Sequence, residues 1–327
     1  MAKMKLCLIG GSGRSGTTIL RKVFSKHAAF SEVPEFRFLV DPDGLVDFYD
    51  TLKHGWSPYL FDVKLRRLEK LLLDMERPAY ISGGLKVGLG KLGLTRTLPK
   101  ALWRRYYYVG LKKFAPNYHQ LVDELIDDLK EFDFRGEWVG MGFGDRPRMS
   151  YAGLVNPEDM AAKLGKFYRN LAHAIVTEQG VDHYLEKNTW NILWFDRILD
   201  LVPDAKFVHI FRDPRDVVAS MVKQNWAPSD PELCALWLSD IMAQWWHIRE
   251  RVPAESYLEV KFETLMDKPE ETLQGICDFW GVPMDPEMLN IKLSGHHMGR
   301  WRKQFSQLAA ANVEKQVKPI MQAYGYS

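Results

Sequence analysis

This sequence contains few cysteines. It also lacks a long apolar run and a large excess of either charge. The three cysteines, Cys7, Cys234 and Cys277, lie far apart and form no CxxC pair. This spacing argues against a disulfide framework or a structural zinc site and suits a reducing compartment. Lysine and arginine total 44 against 42 for aspartate and glutamate, so the formal net charge is only +2. No global positive field therefore indicates a nucleic-acid partner.

The apolar runs are too short for a signal peptide or a membrane span. The first residues, MAKMKLCLIGG, show this directly, and no later run reaches the required length. We therefore expect a cytoplasmic protein without a membrane span.

A strand, a glycine-rich loop and a helix follow one another near the start of the chain, in LCLIGGSGRSGTTIL from Leu6 to Leu20. Leu6 to Gly10 is predicted to be a short buried strand, and Thr17 opens a helix with apolar residues at helical spacing. Between them lies a loop with glycines at positions 10, 11, 13 and 16. This order of elements directs backbone N–H groups and a helix N-terminus toward a phosphate.

One interpretation of the loop is a dinucleotide site. Gly11, Gly13 and Gly16 satisfy the spacing GxGxxG. Glu32 and Glu35 follow roughly 20 residues later, where that motif has its ribose-binding acid. An NAD(P) enzyme is therefore one candidate.

Two other interpretations keep a mononucleotide in the loop. The span from Gly11 to Gly16 resembles a Walker A loop, but Thr17 stands where a kinase that uses ATP and Mg²⁺ has its lysine. In the third interpretation Arg14 is the cation inside the loop, and Thr17 and Thr18 supply hydroxyl groups. That arrangement suits a 5′-phosphate that carries a further anionic leaving group.

The remaining chain predicts an α/β fold with a central parallel sheet flanked by helices, as a single domain over residues 1–327. The core comprises residues 1–44 and 156–327, and a mostly helical insertion of about residues 45–155 lies on the substrate side. Predicted strands cover Asp182 to Glu186, Lys206 to Phe211 and Tyr257 to Phe262. Predicted helices cover Lys64 to Met75, Leu121 to Leu129 with one apolar face, Ile192 to Leu201, about Pro231 to Arg251, Pro269 to Trp280, and about Val313 to Tyr324. Asn156 and Asp213 are predicted to cap two further helices, which begin at Pro157 and Pro214, and Gly281 is predicted to end the helix from Pro269 to Trp280.

A second motif, FVHIFRDPRDVVASM, places Arg212 at the carboxyl end of a core strand. Ligands bind at that edge in open α/β sheets. Arg212 can bind a second phosphate through two parallel hydrogen bonds, and Ser220 on the following helix can donate a further hydrogen bond. An ordinary surface ion pair of Arg212 is the alternative from this stretch alone.

Taken together, these stretches resemble the sulfotransferases that use 3′-phosphoadenosine 5′-phosphosulfate (PAPS), in particular their bacterial branch. GSGRSGTTIL resembles the 5′-phosphosulfate loop, IFRDPRDVVASM resembles the 3′-phosphate motif, and Gly299-Arg300-Trp301-Arg302-Lys303, within a basic loop from Gly295 to Lys303, resembles a segment that closes over the cofactor. The resemblance covers residues 5–40 and 180–326. Lys187-Asn188-Thr189 stands where the bacterial branch usually has Lys-Thr-Pro.

The chain is similar to the protein-tyrosine sulfotransferase type, which has Arg in the phosphosulfate loop, as Arg14 here. Glu35-Phe36-Arg37 resembles that type's Glu-x-Arg segment, so the resemblance implies Glu35 as general base. Glu32 is a competing base. Because many small-molecule sulfotransferases use a histidine, His54, His119 and His183 stay open as alternatives.

The resemblance implies an enzyme that transfers a sulfuryl group from PAPS to a hydroxyl or amine and leaves adenosine 3′,5′-bisphosphate (PAP), without a metal. The implied catalytic residues are Arg14, Glu35 and Lys187. The implied cofactor-binding residues are Gly13, Arg14, Ser15, Gly16, Thr17, Thr18, Arg212, Ser220, Gly299, Arg300 and Trp301. The acceptor is a small metabolite, a carbohydrate, a lipid or a peptide tyrosine, and a homodimer is left open. A P-loop kinase and a non-catalytic nucleotide-binding protein are the alternatives.

Overall fold

The computed structural model describes residues 3–77, 92, 109–136, 138, 148–154, 156–291 and 298–327. The chain divides into two compact units. The first comprises Met1–Glu35, Val181–Leu199 and Pro203–Ser327, and the second comprises Phe36–Gly180 and Asp200–Val202. The predicted division into a core and an insertion has other boundaries and stays a prediction.

The strands, in chain order, are β1 (Leu6–Gly10), β2 (Phe132–Arg135), β3 (Arg148–Tyr151), β4 (Tyr184–Lys187), β5 (Lys206–Phe211) and β6 (Tyr257–Lys261). The α-helices are α1 (Thr17–Phe24), α2 (Leu45–His54), α3 (Pro58–Glu76), α4 (Tyr118–Leu129), α5 (Pro157–Gln179), α6 (Phe195–Leu201), α7 (Pro214–Met221), α8 (Pro231–Arg249), α9 (Phe262–Asp267), α10 (Pro269–Trp280), α11 (Trp301–Gln304) and α12 (Gln307–Tyr324). Short 3₁₀ helices cover Leu111–Lys113, Thr189–Leu193, Ala254–Ser256 and Pro286–Asn290.

The first unit contains a parallel four-stranded sheet in the order β4–β1–β5–β6. All five residues of β1 are buried, as expected for an apolar strand between two others. Ile9 lies opposite both Lys187 and Val208 in the register. The carboxyl ends of β1, β4 and β5 therefore share one edge of the sheet. The predicted α/β class with a central parallel sheet flanked by helices is confirmed.

The hydrophobic core of the first unit joins this sheet to α1, α9 and α10. Phe24 of α1 packs edge-on against Trp280 of α10, with ring centroids 4.7 Å apart. Fully buried aliphatic side chains from the strands complete it, among them Ile9, Val208, Ile210 and Leu185. Gly281 ends α10 with φ of 67°, as the predicted glycine stop requires.

The second unit is mostly helical. The predicted apolar face of α4, Leu121 to Leu129, is buried, and the Asn156 side chain caps α5 by accepting from the Glu158 N–H. Helix α3 is longer than predicted, since Pro58 starts it with Ser57 as its N-cap. The antiparallel pair of β2 and β3 was not predicted.

Several predicted boundaries in the first unit were wrong, including the end of α8, which lies at Arg249 and not near Arg251. Strand β4 runs from Tyr184 to Lys187, because the N–H groups of Asp182 and His183 both donate to the Ala29 carbonyl outside the sheet. The predicted helix from Ile192 is a 3₁₀ turn followed by α6. The last helix begins at Gln307, where the Ser306 side chain accepts from the Ala309 N–H. Within the residues that the structure covers, no helix combines the length and apolarity needed to cross a membrane.

Candidate functional site

The glycine loop lies between β1 and α1 and adopts an unusual backbone. Gly13, Arg14 and Gly16 have φ of 83°, 56° and 117°. A side chain at Gly16 would also collide, because a Cβ atom there would lie 2.6 Å from the Phe262 ring. Glycine is therefore required at position 16 by both backbone angle and space. Arg14 holds a left-handed conformation despite its side chain.

The loop presents several polar groups at the start of α1. The Ile19 and Leu20 N–H groups donate to the Gly16 carbonyl at 2.9 and 3.0 Å. The N–H groups of Thr17 and Thr18 precede these bonds and have no acceptor within the helix. The Ser15 hydroxyl is completely buried and has no hydrogen-bond partner within the described part of the chain. Such donors at a helix N-terminus suit an anion.

One hydrogen bond joins the two sequence motifs. Arg14 Nε donates to Ser220 Oγ at 2.9 Å, although the two residues are 206 positions apart. Ser220 is buried in α7, whereas the Arg14 side chain is exposed. The loop after β1 and the helix after β5 therefore meet at the carboxyl edge of the sheet.

Arg212 follows β5 directly and is 7% exposed. Its Nη2 lies 3.3 Å from Asp216 Oδ2, and its guanidinium carbon lies 4.9 Å from the centroid of the Phe262 ring. Asp213 acts as a helix cap, as its position before Pro214 predicted, and accepts from the Arg215 N–H at 2.9 Å. The buried arginine is thus oriented by a carboxylate on one side and an aromatic face on another.

The tail turn, Gly299–Trp301, also reaches α7. Asp216 accepts from the Gly299 N–H at 2.7 Å and from the Trp301 N–H at 3.2 Å. Arg300 lies between these two residues and is partly buried. Two guanidinium groups lie over the Trp301 ring. The guanidinium carbon of Arg215 is 4.4 Å from the ring centroid, and that of Arg302 is 4.6 Å from it. Residues 292–297, which include the start of the predicted basic loop, lie outside the described residues.

Lys187 and Glu35 form an ion pair at the end of β4. The Lys187 side chain is 10% exposed and that of Glu35 is 31% exposed. Lys187 lies opposite Ile9, one residue before the end of β1. A carboxylate that could accept a proton and an ammonium group that could stabilise negative charge therefore lie together near the glycine loop.

The competing bases have other surroundings. The Glu32 side chain is 66% exposed and lies 3.6 Å from Arg21. His183 precedes β4, about 13 Å along the strand from Lys187 at ordinary strand rise, and burial lowers its pKa. His54 and His119 are exposed in the second unit, where each faces acidic side chains of that unit. Glu35 contacts Lys187, the lysine that the resemblance implies as catalytic.

Three tryptophans form a cluster, one of them lies against the glycine loop, and sequence reasoning did not connect them. Trp190, Trp226 and Trp237 have ring centroids 5.9–6.1 Å apart. A Cβ atom on Gly13 would lie 3.0 Å from the Trp226 ring, and Trp226 is 46% exposed. Trp245, on the same helix as Trp237, is fully buried.

The arrangement can bind two anionic groups. The first set of donors comprises the loop amides, Arg14 and the Thr17 and Thr18 hydroxyl groups. The second comprises Arg212 and Ser220, with the tail turn held next to Arg212 through Asp216. Lys187 and Glu35 add a cation and a base at the adjacent strand end. Asp216 was missed at the sequence level, because its partners are 83 and 85 residues away and no local pattern marks them.

A model of the Sulfotransferase family matches residues 116–286 of this chain. The match includes β4, β5, Arg212 and Ser220, and also residues 116–155 of the predicted insertion, for which the sequence resemblance has no motif. The glycine loop and the tail turn lie outside it.

Curated and solved proteins with similar sequence or fold were also found. A "Putative protein-tyrosine sulfotransferase" of Caenorhabditis briggsae is 28% identical over 110 residues, which are 32% of this chain and 39% of that protein. An uncharacterized protein of Aquifex aeolicus is 21% identical over 290 residues, 83% of this chain and 35% of that protein. The chain thus spans less than half the length of these relatives. The sulfotransferase domain of the olefin synthase from Synechococcus PCC 7002 is 16% identical, with a TM-score of 0.47 over 99% of this chain and 96% of that domain.

Proposed function

The chain belongs to the sulfotransferase family, and we propose that it transfers a sulfuryl group from PAPS to a hydroxyl or amine of an acceptor. The observation that carries the proposal is the hydrogen bond from Arg14 to Ser220. It brings the motif suited to a 5′-phosphosulfate next to the motif suited to a 3′-phosphate. A nucleotide with a single 5′-phosphate chain would use only the first of them.

The residues fit a donor with two anionic ends. The buried Ser15 hydroxyl, which has no partner among the described residues, and the Thr17 and Thr18 amides supply donors at one end. Arg212, Ser220 and the tail turn Gly299–Trp301 supply them at the other. When bound, PAPS supplies an activated sulfuryl group and a bisphosphate leaving group. Because sulfuryl and phosphoryl transfer are chemically alike, positioning and charge stabilisation supply most of the catalysis.

The proposed catalytic residues divide this work. Arg14 and Lys187 provide fixed positive charge where negative charge develops on the leaving group. Glu35 accepts the proton of the acceptor, and it lies in an ion pair with Lys187 at the end of β4. The acceptor is a small metabolite, a carbohydrate, a lipid or a peptide tyrosine. A tyrosine peptide is the first to test, since the Caenorhabditis relative is named as a protein-tyrosine sulfotransferase.

Binding of PAP tests the donor assignment, and Arg212→Ala is the informative variant. Loss of a buried charged hydrogen bond should weaken PAP binding by roughly 2–4 kcal/mol. Isothermal titration calorimetry with PAP, ATP plus Mg²⁺, and NADP measures this and separates the three loop interpretations. Arg249→Ala, which removes an ion-paired arginine that contacts Glu259, should leave PAP affinity unchanged.

Two results would contradict the proposal. One is PAP affinity in Arg212→Ala equal to that of the wild type. The other is tight binding of ATP plus Mg²⁺ or of NADP without binding of PAP. PAP release with the acceptor panel then tests turnover.

A further inference from the structure

Asp216 is a buried carboxylate with three donors around it. It is the third residue of α7 and is 1% exposed. Its Oδ2 accepts from the Gly299 N–H at 2.7 Å and faces Arg212 Nη2 at 3.3 Å, and its Oδ1 accepts from the Trp301 N–H at 3.2 Å. The carboxylate therefore links the end of β5 to a turn more than 80 residues further along the chain.

Such a carboxylate needs these donors. An ionised group taken out of water without partners is strongly unfavourable, whereas one with charged and backbone donors on both oxygens is stable. Its place in the first turn of α7 adds the favourable field of the helix N-terminus. If the tail turn moved away, Asp216 would lose two of its three donors, so the turn and the carboxylate stabilise each other.

The same contacts orient Arg212. Asp216 holds one Nη atom, and the Phe262 ring lies against the guanidinium 4.9 Å from its centroid. The tail turn is held by two amides that donate to Asp216, with a further bond from Gln304 Nε2 to the Ala219 carbonyl at 2.6 Å. One carboxylate thus sets the positions of both Arg212 and the turn that carries Arg300.

We infer that Asp216 is a positioning residue that holds Arg212 and the tail turn Gly299–Trp301 together, so that both bind one end of the donor as a unit. The inference rests on the proposed function, because it assigns Arg212 and Arg300 to the 3′-phosphate. Asp216 itself, as an anion, does not contact that phosphate. Its contribution is to donor affinity through the two arginines.

The variant Asp216→Asn tests the inference. Asparagine has the same size, but it has no charge to hold Arg212, and its NH₂ group would face a backbone N–H donor. We expect the Kd for PAP to rise about ten- to hundredfold, the change that loss of one charged hydrogen bond produces. The KM for PAPS should rise in parallel, whereas kcat at saturating PAPS should change less than about threefold, since Asp216 touches no reacting atom.

Amide hydrogen exchange gives a readout that is independent of the donor. The Gly299 and Trp301 amides donate to Asp216, so their exchange should accelerate in Asp216→Asn, while amides of the central strand β1 keep their protection. If Asp216→Asn does not fold, Gln304→Ala removes the hydrogen bond to the Ala219 carbonyl that holds α11, the helix that continues from the tail turn. It should weaken PAP binding about three- to tenfold through that turn.

Asp62→Asn is a matched control from the second unit. Asp62 is also 1% exposed, pairs with an arginine four residues later, Arg66, and accepts from a backbone N–H, that of Ser150 at 2.9 Å. It should lower the melting temperature as Asp216→Asn does, but leave the Kd for PAP unchanged.

The outcomes separate the inference from the proposed function. A Kd for PAP in Asp216→Asn within about twofold of the wild type, or unchanged exchange at Gly299 and Trp301, overturns the positioning role. If the wild type binds no PAP, the proposed function fails, and with it the role in donor affinity. The exchange measurement still decides in that case whether Asp216 holds the turn.

Discussion

At the scale of single residues, Arg14 combines a conformational cost with a specific contact. Its φ of 56° lies in the left-handed region, which costs an L-amino acid about 1–2 kcal/mol. Glycine, which the loop uses at positions 13 and 16, would avoid that cost. The arginine side chain instead donates to Ser220. At position 14 the chain therefore keeps an arginine, with its hydrogen bond to Ser220, where glycine would adopt the same backbone conformation at lower cost.

Arg14→Gly and Arg14→Ala separate these two effects. Both remove the guanidinium, so both should lower kcat strongly if Arg14 stabilises the leaving group. Only alanine keeps the left-handed strain, so Arg14→Gly should be more stable than Arg14→Ala by about 1 kcal/mol. Urea denaturation and steady-state kinetics measure the two quantities. Equal stability of the two variants would argue against strain at this position, and wild-type turnover in either would remove Arg14 from catalysis.

Local motifs sufficed to nominate most residues of the candidate site, whose roles stay predictions. The glycine spacing, Arg14 within it, and Arg212 at a strand end are all readable from short stretches. Glu35 could not be separated from Glu32 in this way, because the pairing with Lys187 spans 152 residues. The contacts of Asp216 with the tail turn and the tryptophan cluster at Gly13 were not predicted, for the same reason. A contact between distant segments leaves no pattern in either of them.

At the scale of elements, capping signals predicted helix ends better than hydrophobic pattern did. Asn156 with Pro157, Asp213 with Pro214, and Gly281 all mark observed ends. The pair of β2 and β3 escaped prediction because Phe132 and Phe134 are exposed, so its strands lack a buried alternating face. Residues 307–312 of α12 were not predicted to be helical, although the Ser306 side chain caps this helix by accepting from the Ala309 N–H.

Gly165→Ala tests how tightly α5 packs in the second unit. In an isolated helix this change is stabilising by roughly 0.5–1 kcal/mol. Here a Cβ atom on Gly165 would lie 2.0 Å from the Leu201 carbonyl oxygen. We therefore expect the opposite sign, a loss of about 1–3 kcal/mol in the free energy of unfolding. Thermal and urea denaturation measure it.

Gly275→Ala is the control for this prediction. Gly275 lies inside α10 and has no heavy atom within 4 Å of its would-be Cβ. Gly275→Ala should therefore increase the free energy of unfolding by roughly 0.5–1 kcal/mol, the difference in helix propensity between glycine and alanine. If Gly165→Ala is stabilising as well, the close approach of α5 to Leu201 is not present in the protein.

At the scale of the whole molecule, each unit contains a carboxylate whose ionised form is strongly favoured. Burial alone would raise the pKa of Glu259, but hydrogen bonds from His209, Tyr324 and Trp245 outweigh it and lower that pKa to about 2. In the second unit burial would likewise raise the pKa of Asp133. Arg148, Lys130 and Ser150 nevertheless hold it well below its ordinary value.

Acid should therefore destabilise the protein, and Glu259→Gln should reduce that effect. A pKa that falls from 4.5 to about 2 on folding contributes about 3 kcal/mol of stability above pH 4.5, which is lost as the pH falls toward 2. Urea denaturation of wild type and Glu259→Gln between pH 7 and pH 3 measures the difference. By pH 3 the difference between the two free energies should fall to less than half of its value at pH 7.

The exposed Glu255 provides the control, since Glu255→Gln should leave the pH dependence unchanged. A constant gap between wild type and Glu259→Gln at every pH would contradict the role of the Glu259 carboxylate.

The placement of the cysteines has a practical consequence. All three are free and buried in the first unit, and the second unit has none. Burial raises the pKa of Cys234 and of Cys277 to about 11 and that of Cys7 well above its ordinary value, so the native thiols are protonated as well as shielded. A thiol-specific dye added during denaturation therefore labels only chains whose first unit has opened. Compared with the loss of helical circular dichroism, which reports both units, the labelling rate shows whether the two units unfold in one step or in succession.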